Sequence, residues 1–154
     1  MVQDALKISP AALRAILQRY EKELIRGMLE PSRREGEEVH FQHADGSKGM
    51  GAPGVAYKEA EILRMLGERR PLRRVAYEMG ALAHLVADVE FPLNASDADP
   101  REPLYREAYR RYVETQLDKI PFVFDRQPSP ELQKDNLRGF MLAGARRAAE
   151  NYAL

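Results

Sequence analysis

Residues 80–94 have the sequence GALAHLVADVEFPLN, an apolar segment with one histidine and one aspartate four positions apart, His84 and Asp88. In an α-helix this spacing places both side chains on the same face. Burying an imidazole and a carboxylate among leucine and valine side chains is costly unless something pairs with them, and a divalent metal ion is one such partner. The segment therefore predicts a central apolar helix that carries either a hydrogen-bonded pair or two metal ligands.

Histidine is scarce in this chain, and all of it lies in two short segments. The other two histidines, His40 and His43, flank Phe41 and Gln42 in the sequence VHFQHAD. Because imidazole is a common ligand of divalent metal ions, a fold that brings the two segments together would create a metal site. For His43 a solvated position in a loop is the simpler interpretation, with a share in the same site as the alternative.

The composition excludes several classes of function. The 24 basic and 24 acidic residues cancel at neutral pH, so no global field draws the chain to nucleic acid or to an anionic membrane, and we expect no specific nucleic-acid binding. Cysteine is absent, which excludes thiol nucleophiles, disulfides and thiolate ligands and leaves nitrogen and oxygen donors for a metal ion. No apolar run reaches the ~18 residues of a membrane span, and the N-terminus is unlike a secretory signal. As written, the chain is expected to be cytoplasmic.

The spacing of apolar residues predicts an all-α single domain over residues 1–154, built from about five helices. Proline and glycine interrupt the pattern at residues 30–54 and 92–100, and the first of these segments is predicted to be a long loop between the first two helices. A Ser9 side-chain cap and the Ser129-Pro130 pair mark two helix starts, and residues 120–124 are interpreted as a short extended link. The predicted helices cover residues 10–29, 55–67, 71–91, 103–119 and about 131–152.

The helix motif resembles one that is found in the zinc-dependent phospholipase C family and its fungal and plant nuclease relatives. The shared features are Gly80, His84, Asp88 and Pro92, each four positions after the last, where the family then has a second histidine two residues beyond the proline and this chain has Asn94. The resemblance implies an all-helical fold in which this helix is central and carries metal ligands.

An upstream element supports the same resemblance. Val39-His40-Phe41 is similar to the family's loop histidine, which is typically followed by an aromatic residue. Carried over residue by residue, the resemblance makes His40, His84 and Asp88 ligands of one divalent metal ion, most simply Zn²⁺. Three nitrogen and oxygen ligands with an open fourth position are typical of a catalytic zinc site, so the resemblance implies that Asp88 is also the catalytic residue.

The family places an acidic ligand roughly a dozen positions before the loop histidine. Glu30, ten residues before His40, is the nearest residue that matches, and we expect it to complete the metal site. Glu37 and Glu38 are local alternatives for the same role.

Three departures from the family pattern imply a reduced centre. Asn94 replaces the second histidine at the helix end, and the later histidine and acid of another metal site fall in the region of Arg106 and Arg110. The family's third metal ion uses an N-terminal tryptophan, and this chain contains no tryptophan. One metal site is therefore expected to remain.

Two functions follow as hypotheses. In the first, a single metal ion lowers the pKa of a water molecule toward ~7 for attack on a phosphoester, which is either a small molecule or a lipid head group, and an arginine takes over some transition-state charge. Since the family uses a metal cluster to neutralise both nucleophile and leaving group, hydrolysis is expected to be weak or absent. In the second, the chain is a non-catalytic helical interaction module without a metal ion.

Overall fold

The computed structural model describes residues 6–7, 9–30, 36–96, 99–116 and 136–152, together with the single positions 119, 132 and 134. Within these ranges the chain forms six α-helices, two short 3₁₀ turns and no strand, which confirms the predicted all-α fold. The helices are α1 (Ala11–Arg19), α2 (Glu21–Leu29), α3 (Gly51–Gly67), α4 (Leu72–Val89), α5 (Glu102–Gln116) and α6 (Leu137–Tyr152). The 3₁₀ turns are Glu37–His40 and Pro92–Asn94.

Helix α4 is the central helix, as predicted. It contacts α1, α2, α3 and α6, and it contributes to three apolar clusters along its length. The buried apolar residues of α4 point in several directions and not along one stripe. Neighbouring helices therefore cover it on several sides. The largest cluster joins α3, α4 and α6 through Ala52, Val55, Leu85, Val89, Met141 and Ala145.

Two glycines let α2 and α4 approach at backbone contact. A Cβ atom built on Gly80 would lie 2.0 Å from the carbonyl oxygen of Leu24, and one built on Gly27 would lie 1.9 Å from the carbonyl oxygen of Tyr77. Real Cβ atoms essentially never come within 3.0 Å of another heavy atom. The glycine in the helix motif therefore has a packing role, namely to admit the neighbouring helix.

The first predicted helix is divided at Tyr20. Tyr20 has backbone angles φ −116° and ψ 33°, outside the helical range, and this residue separates α1 from α2. Tyr20 N–H donates to the Ile16 carbonyl and closes the last turn of the first helix, and Leu24 N–H donates to the Tyr20 carbonyl and closes the first turn of the second. No proline or glycine marks this position, and the single helix predicted from periodicity is wrong here.

The capping position of α1 falls one residue after the predicted Ser9. Helix α1 begins at Ala11, so this position is Pro10, which makes no side-chain cap hydrogen bond. The Ser9 carbonyl accepts a hydrogen bond from the Arg14 guanidinium at 3.0 Å.

The predicted loop between the first two helices is shorter than expected. Helix α3 begins at Gly51, four residues before the predicted start, and it includes Pro53 in its first turn. Proline is tolerated there because first-turn N–H groups have no partner within the helix. Gly49 has a φ of +87°, a conformation that favours glycine, and it turns the chain into α3.

The last two helices lie on either side of the longest stretch in which few residues are described, between residues 116 and 136. Helix α5 covers residues 102–116, close to the predicted 103–119. Helix α6 begins at Leu137, where the Asn136 side chain accepts a hydrogen bond from Gly139 N–H at 2.9 Å and so caps the helix. The predicted cap at Ser129 and the predicted link at residues 120–124 lie outside the described residues. Among the described helices, none has the length and apolar character needed to cross a membrane.

Candidate metal centre

His84 and Asp88 lie one turn apart near the end of α4, on one face of the helix as predicted. The Nε2 atom of His84 is 3.0 Å from Oδ2 of Asp88. Both side chains are partly accessible, with 26% and 24% of their surface exposed. They therefore sit at the edge of the core, where a ligand can reach them.

His40 joins this pair from the 3₁₀ turn before α3. Its Nδ1 atom is 2.6 Å from the same Oδ2 of Asp88, and its ring meets the His84 ring edge to face with centroids 5.3 Å apart. Asn94 holds the two segments together, because its Nδ2 group donates to the carbonyls of both His40 and Asp88 at 3.0 Å. The structure thus brings together the two histidine segments that the sequence placed 44 positions apart.

One ligand atom from each of His40, His84 and Asp88 lies within 4.8 Å of the other two. In a tetrahedral zinc site with bonds of 2.0–2.2 Å, neighbouring ligand atoms lie roughly 3.3 Å apart. The distance of 3.0 Å from His84 Nε2 to Asp88 Oδ2 is close to that spacing. The distance of 2.6 Å from His40 Nδ1 to the same oxygen is that of a hydrogen bond. The donor set fits one divalent ion, provided that His40 and Asp88 separate by roughly 0.7 Å when the ion replaces the shared proton.

The protonation state of Asp88 suits a metal ligand. Burial of this carboxyl raises its pKa, but the hydrogen bonds from His84 and His40 outweigh burial and hold the pKa below its ordinary value of 3.8. Asp88 is therefore a carboxylate at neutral pH, as coordination requires.

The other nitrogen of His40 is unusual for a purely structural histidine. Its Nε2 atom is buried and has no hydrogen-bond partner among the described residues. Leaving a buried polar atom without a partner costs free energy, and such atoms in native proteins call for an explanation such as a bound ion, a water molecule or a catalytic role. Because Nδ1 is the atom that faces Asp88, an ion held between these two residues would leave Nε2 still without a partner.

The three residues form part of the wall of an open cleft of about 730 Å³. The first half of α5 and the segment that precedes it also line this cleft. Besides Asp88, the charged residues along the cleft are Glu37, Lys48, Asp99, Glu102, Arg106 and Arg110.

Asn94 and Arg106, the positions at which the resemblance implied the loss of a second metal ion, bond to each other. Arg106 Nη1 donates to Asn94 Oδ1 at 2.7 Å, and Nη2 donates to the Leu93 carbonyl at 2.6 Å. The Nε and Nη2 groups of Arg106 also both donate to Glu102 Oε1. A fixed guanidinium is therefore tied, through Asn94, to the backbone of two of the candidate ligands.

Helix α6 completes this polar network. The hydroxyl of Tyr152 donates to Glu102 Oε2 at 3.2 Å and accepts a hydrogen bond from Asp99 N–H at 3.1 Å. No motif in the sequence points to Tyr152 or Glu102 as site residues. The four-residue spacing of Glu102 and Arg106 on a predicted helix was the one local signal for this network.

The structure does not bring Glu30 to the centre. Glu30 follows the end of α2, where its carboxylate accepts a hydrogen bond from the Tyr77 hydroxyl at 3.3 Å and lies 3.4 Å from Arg26. It is not among the residues that line the cleft, so its expected role as the acidic ligand is corrected. Its carboxylate already has partners on α2 and α4.

The alternative residues differ in position. Glu37 lines the cleft at the start of the turn that carries His40, whereas Glu38 is exposed and does not line the cleft. His43 also lines the cleft, where its ring packs against Phe41. His43 does not belong to the cluster of three ligand atoms.

No protein-family model matches this chain, and none of the curated proteins compared with it has a significantly similar sequence.

Proposed function

We propose that this protein binds one divalent metal ion, most simply zinc, through His40, His84 and Asp88, and that its function is related to that of metal-dependent phosphoester hydrolases. The observation that carries the proposal is the convergence of three ligand atoms from two distant segments within 4.8 Å, at the wall of an open cleft. With one ion in place of a cluster, we expect hydrolysis to be weak or absent.

The ligand set supports a catalytic type of site. Two imidazoles and one carboxylate would leave a fourth position of a tetrahedral ion open, and all three side chains line a cleft that opens to solvent. When bound there, a divalent ion lowers the pKa of a water molecule and polarises a phosphoryl oxygen.

The chain's own residues would position the ligands and the substrate. Asp88 supplies the one carboxylate, and Asn94 fixes the backbone that carries Asp88 and His40. The guanidinium of Arg106 lies beside Asn94 and stabilises negative charge on a ligand in the cleft. A cleft of about 730 Å³ accommodates a small phosphoester or the head group of a lipid.

Metal analysis of the purified protein tests the proposal. After treatment with a chelator and reloading with zinc, wild type should retain about one ion per chain, and His84→Ala should retain none. His43→Ala is the matched control, because His43 lines the cleft outside the ligand cluster and its loss should leave the stoichiometry unchanged. Assays on phosphatidylcholine and on single-stranded DNA then measure residual hydrolysis. Absence of bound metal in wild type would refute the proposal.

A non-catalytic interaction module is the second candidate. It is favoured by one observation, that both imidazoles lie within hydrogen-bonding distance of Asp88, so the three side chains can satisfy one another. Thermal unfolding with and without zinc separates the two. A ligand at about 1,000 times its Kd stabilises the folded state by about 4 kcal/mol, so a metal-binding protein should show a clear rise in Tm, whereas an interaction module should show none.

A further inference from the structure

The arginines of α5 suggest what the cleft binds. Arg106 and Arg110 lie one turn apart and line the same cleft as the candidate metal ligands. They differ in how fully their hydrogen-bond donors are used, and this difference determines what each can offer a ligand.

Arg106 is almost fully engaged within the protein. Of its five N–H groups, the one on Nε and both on Nη2 donate to Glu102 and to the Leu93 carbonyl, and one on Nη1 donates to Asn94. One N–H on Nη1 remains for a ligand. The side chain lines the cleft and is 39% exposed, so a ligand in the cleft can contact it.

The hydrogen-bond donors of Arg110, unlike those of Arg106, are not used within the described part of the protein. Its side chain is exposed, lines the cleft, and makes no hydrogen bond or ion pair with another residue in the part of the chain that the structure describes. Its whole planar fork is therefore available for the bidentate contact that arginine makes with phosphate or carboxylate oxygens.

The charge of the cleft depends on the metal ion. Three basic side chains face four carboxylates along its wall, so the metal-free cleft does not attract anions. A divalent ion at the ligand cluster reverses this balance, and Arg101 already neutralises Asp99 from outside the cleft at 2.9 Å. An anion should therefore bind strongly only when the metal is present.

We propose that Arg110 and the free N–H group of Arg106 form, beside the metal site, a subsite for a terminal phosphate group, meaning a phosphomonoester or inorganic phosphate. This inference rests on the proposed metal site. A terminal phosphate has three free oxygens. One can bind the ion and the other two can accept the two prongs of the Arg110 fork, with one of these two also accepting the single donor of Arg106. A phosphodiester has two free oxygens and leaves one prong of the fork without an acceptor when its other oxygen binds the ion.

Calorimetric titration of the protein loaded with one equivalent of zinc tests this subsite. The probes are phenylphosphonate as a stable phosphomonoester mimic, inorganic phosphate, and dimethyl phosphate as the diester. We expect the first two to bind at least about tenfold more tightly than the diester, and Arg110→Ala to remove most of that preference by weakening their binding about tenfold or more. Arg111→Ala is the matched control, because Arg111 lies on the same helix, is paired with Glu107 and does not line the cleft.

The outcomes distinguish this inference from the proposed function. Zinc binding is measured first in every variant, and Arg110→Ala should bind zinc as wild type does. If wild type binds zinc but Arg110→Ala binds phenylphosphonate unchanged, the subsite is refuted and the metal site stands. Equal affinity for monoester and diester, or equal affinity with and without zinc, also overturns the subsite. Failure of wild type to bind zinc refutes both proposals.

Discussion

The two halves of helix α4 show two different uses of the same motif. In the first half, Gly80 meets α2 at backbone contact, and a side chain as small as that of alanine has no room. In the second half, His84 and Asp88 face an open cleft and are a quarter exposed. A single helical turn separates a contact that is purely steric from one that is purely polar.

This difference shows which motif residues position the site and which supply its chemistry. The glycine fixes how closely α2 packs on α4, and its replacement should affect folding. The histidine and aspartate contribute little apolar burial, and their replacement should affect ligand binding more than folding. The predictions that follow test the steric contact and the polar network around the cleft, in order of decreasing expected effect.

Gly80→Ala should have the largest effect on stability. The new Cβ atom would lie 2.0 Å from the Leu24 carbonyl oxygen, so α2 and α4 must move apart, at a cost of about 3 kcal/mol or more. Chemical denaturation measures this change. Gly67→Ala is the matched control, because nothing lies within 4 Å of its added Cβ, and it should be neutral or slightly stabilising. Equal effects at the two positions would contradict the close helix contact.

Asn94→Ala should have the second largest effect. The substitution removes donors to the His40 and Asp88 carbonyls and the acceptor for Arg106, which should cost about 2 kcal/mol of unfolding free energy. It should also weaken zinc binding, because the side-chain bonds that Asn94 makes to both ligand segments are lost. Asn151→Ala, at an exposed position on α6, is the control for the residue type. A loss of stability with unchanged zinc affinity would mean that Asn94 supports the fold alone.

These two positions also show what the sequence could and could not predict. The 3.6-residue pattern of α4 and the shared face of His84 and Asp88 follow from local spacing, and the structure brings His40 to this face. The contact between Gly27 and Gly80 joins two helices that are far apart in sequence. The local sequence around each glycine is the same as around a glycine that only weakens a helix, so the contact could not be predicted.

Boundaries and networks were the least predictable features. Gly51 and Pro53 resemble a loop in sequence, yet they form the first turn of α3, where proline costs little. The bend at Tyr20 has no local signal. Glu30 matched the upstream acid by spacing alone, and spacing could not show that a hydroxyl on α4 already occupied its carboxylate.

Tyr152→Phe should have a smaller effect than Asn94→Ala. The hydroxyl links α6 to Glu102 and to the backbone of Asp99, and its loss should cost about 1 kcal/mol of unfolding free energy. The stoichiometry of zinc should not change, because the hydroxyl acts on Arg106 only through Glu102. Tyr57→Phe, at a side chain that is 73% exposed, is the control and should leave the stability unchanged. A zinc stoichiometry altered by Tyr152→Phe would extend the metal centre to α6.

Titration of Tyr105 should show the smallest effect, at the rim of the same polar region. Burial of its hydroxyl and its hydrogen bond to Asp99 raise the pKa of Tyr105 from 10.0 to about 12. Since the folded-state pKa is raised, this contact contributes stability below pH 10, and the contribution disappears as the pH rises through about 12. Absorbance at ~295 nm, compared between wild type and Tyr105→Phe, isolates the ionisation of this one phenol.

Asp99→Asn should lower the Tyr105 pKa toward 10.0, because it removes the negative charge beside the phenol. The same substitution leaves Arg101 without the carboxylate that now holds it, which frees a further cation at the rim of the cleft. Phosphate binding should then strengthen slightly in zinc-loaded protein. An unchanged Tyr105 titration in Asp99→Asn would contradict the hydrogen bond between Tyr105 and Asp99. The ordered polar network beside the cleft would then consist of Asn94, Glu102 and Arg106.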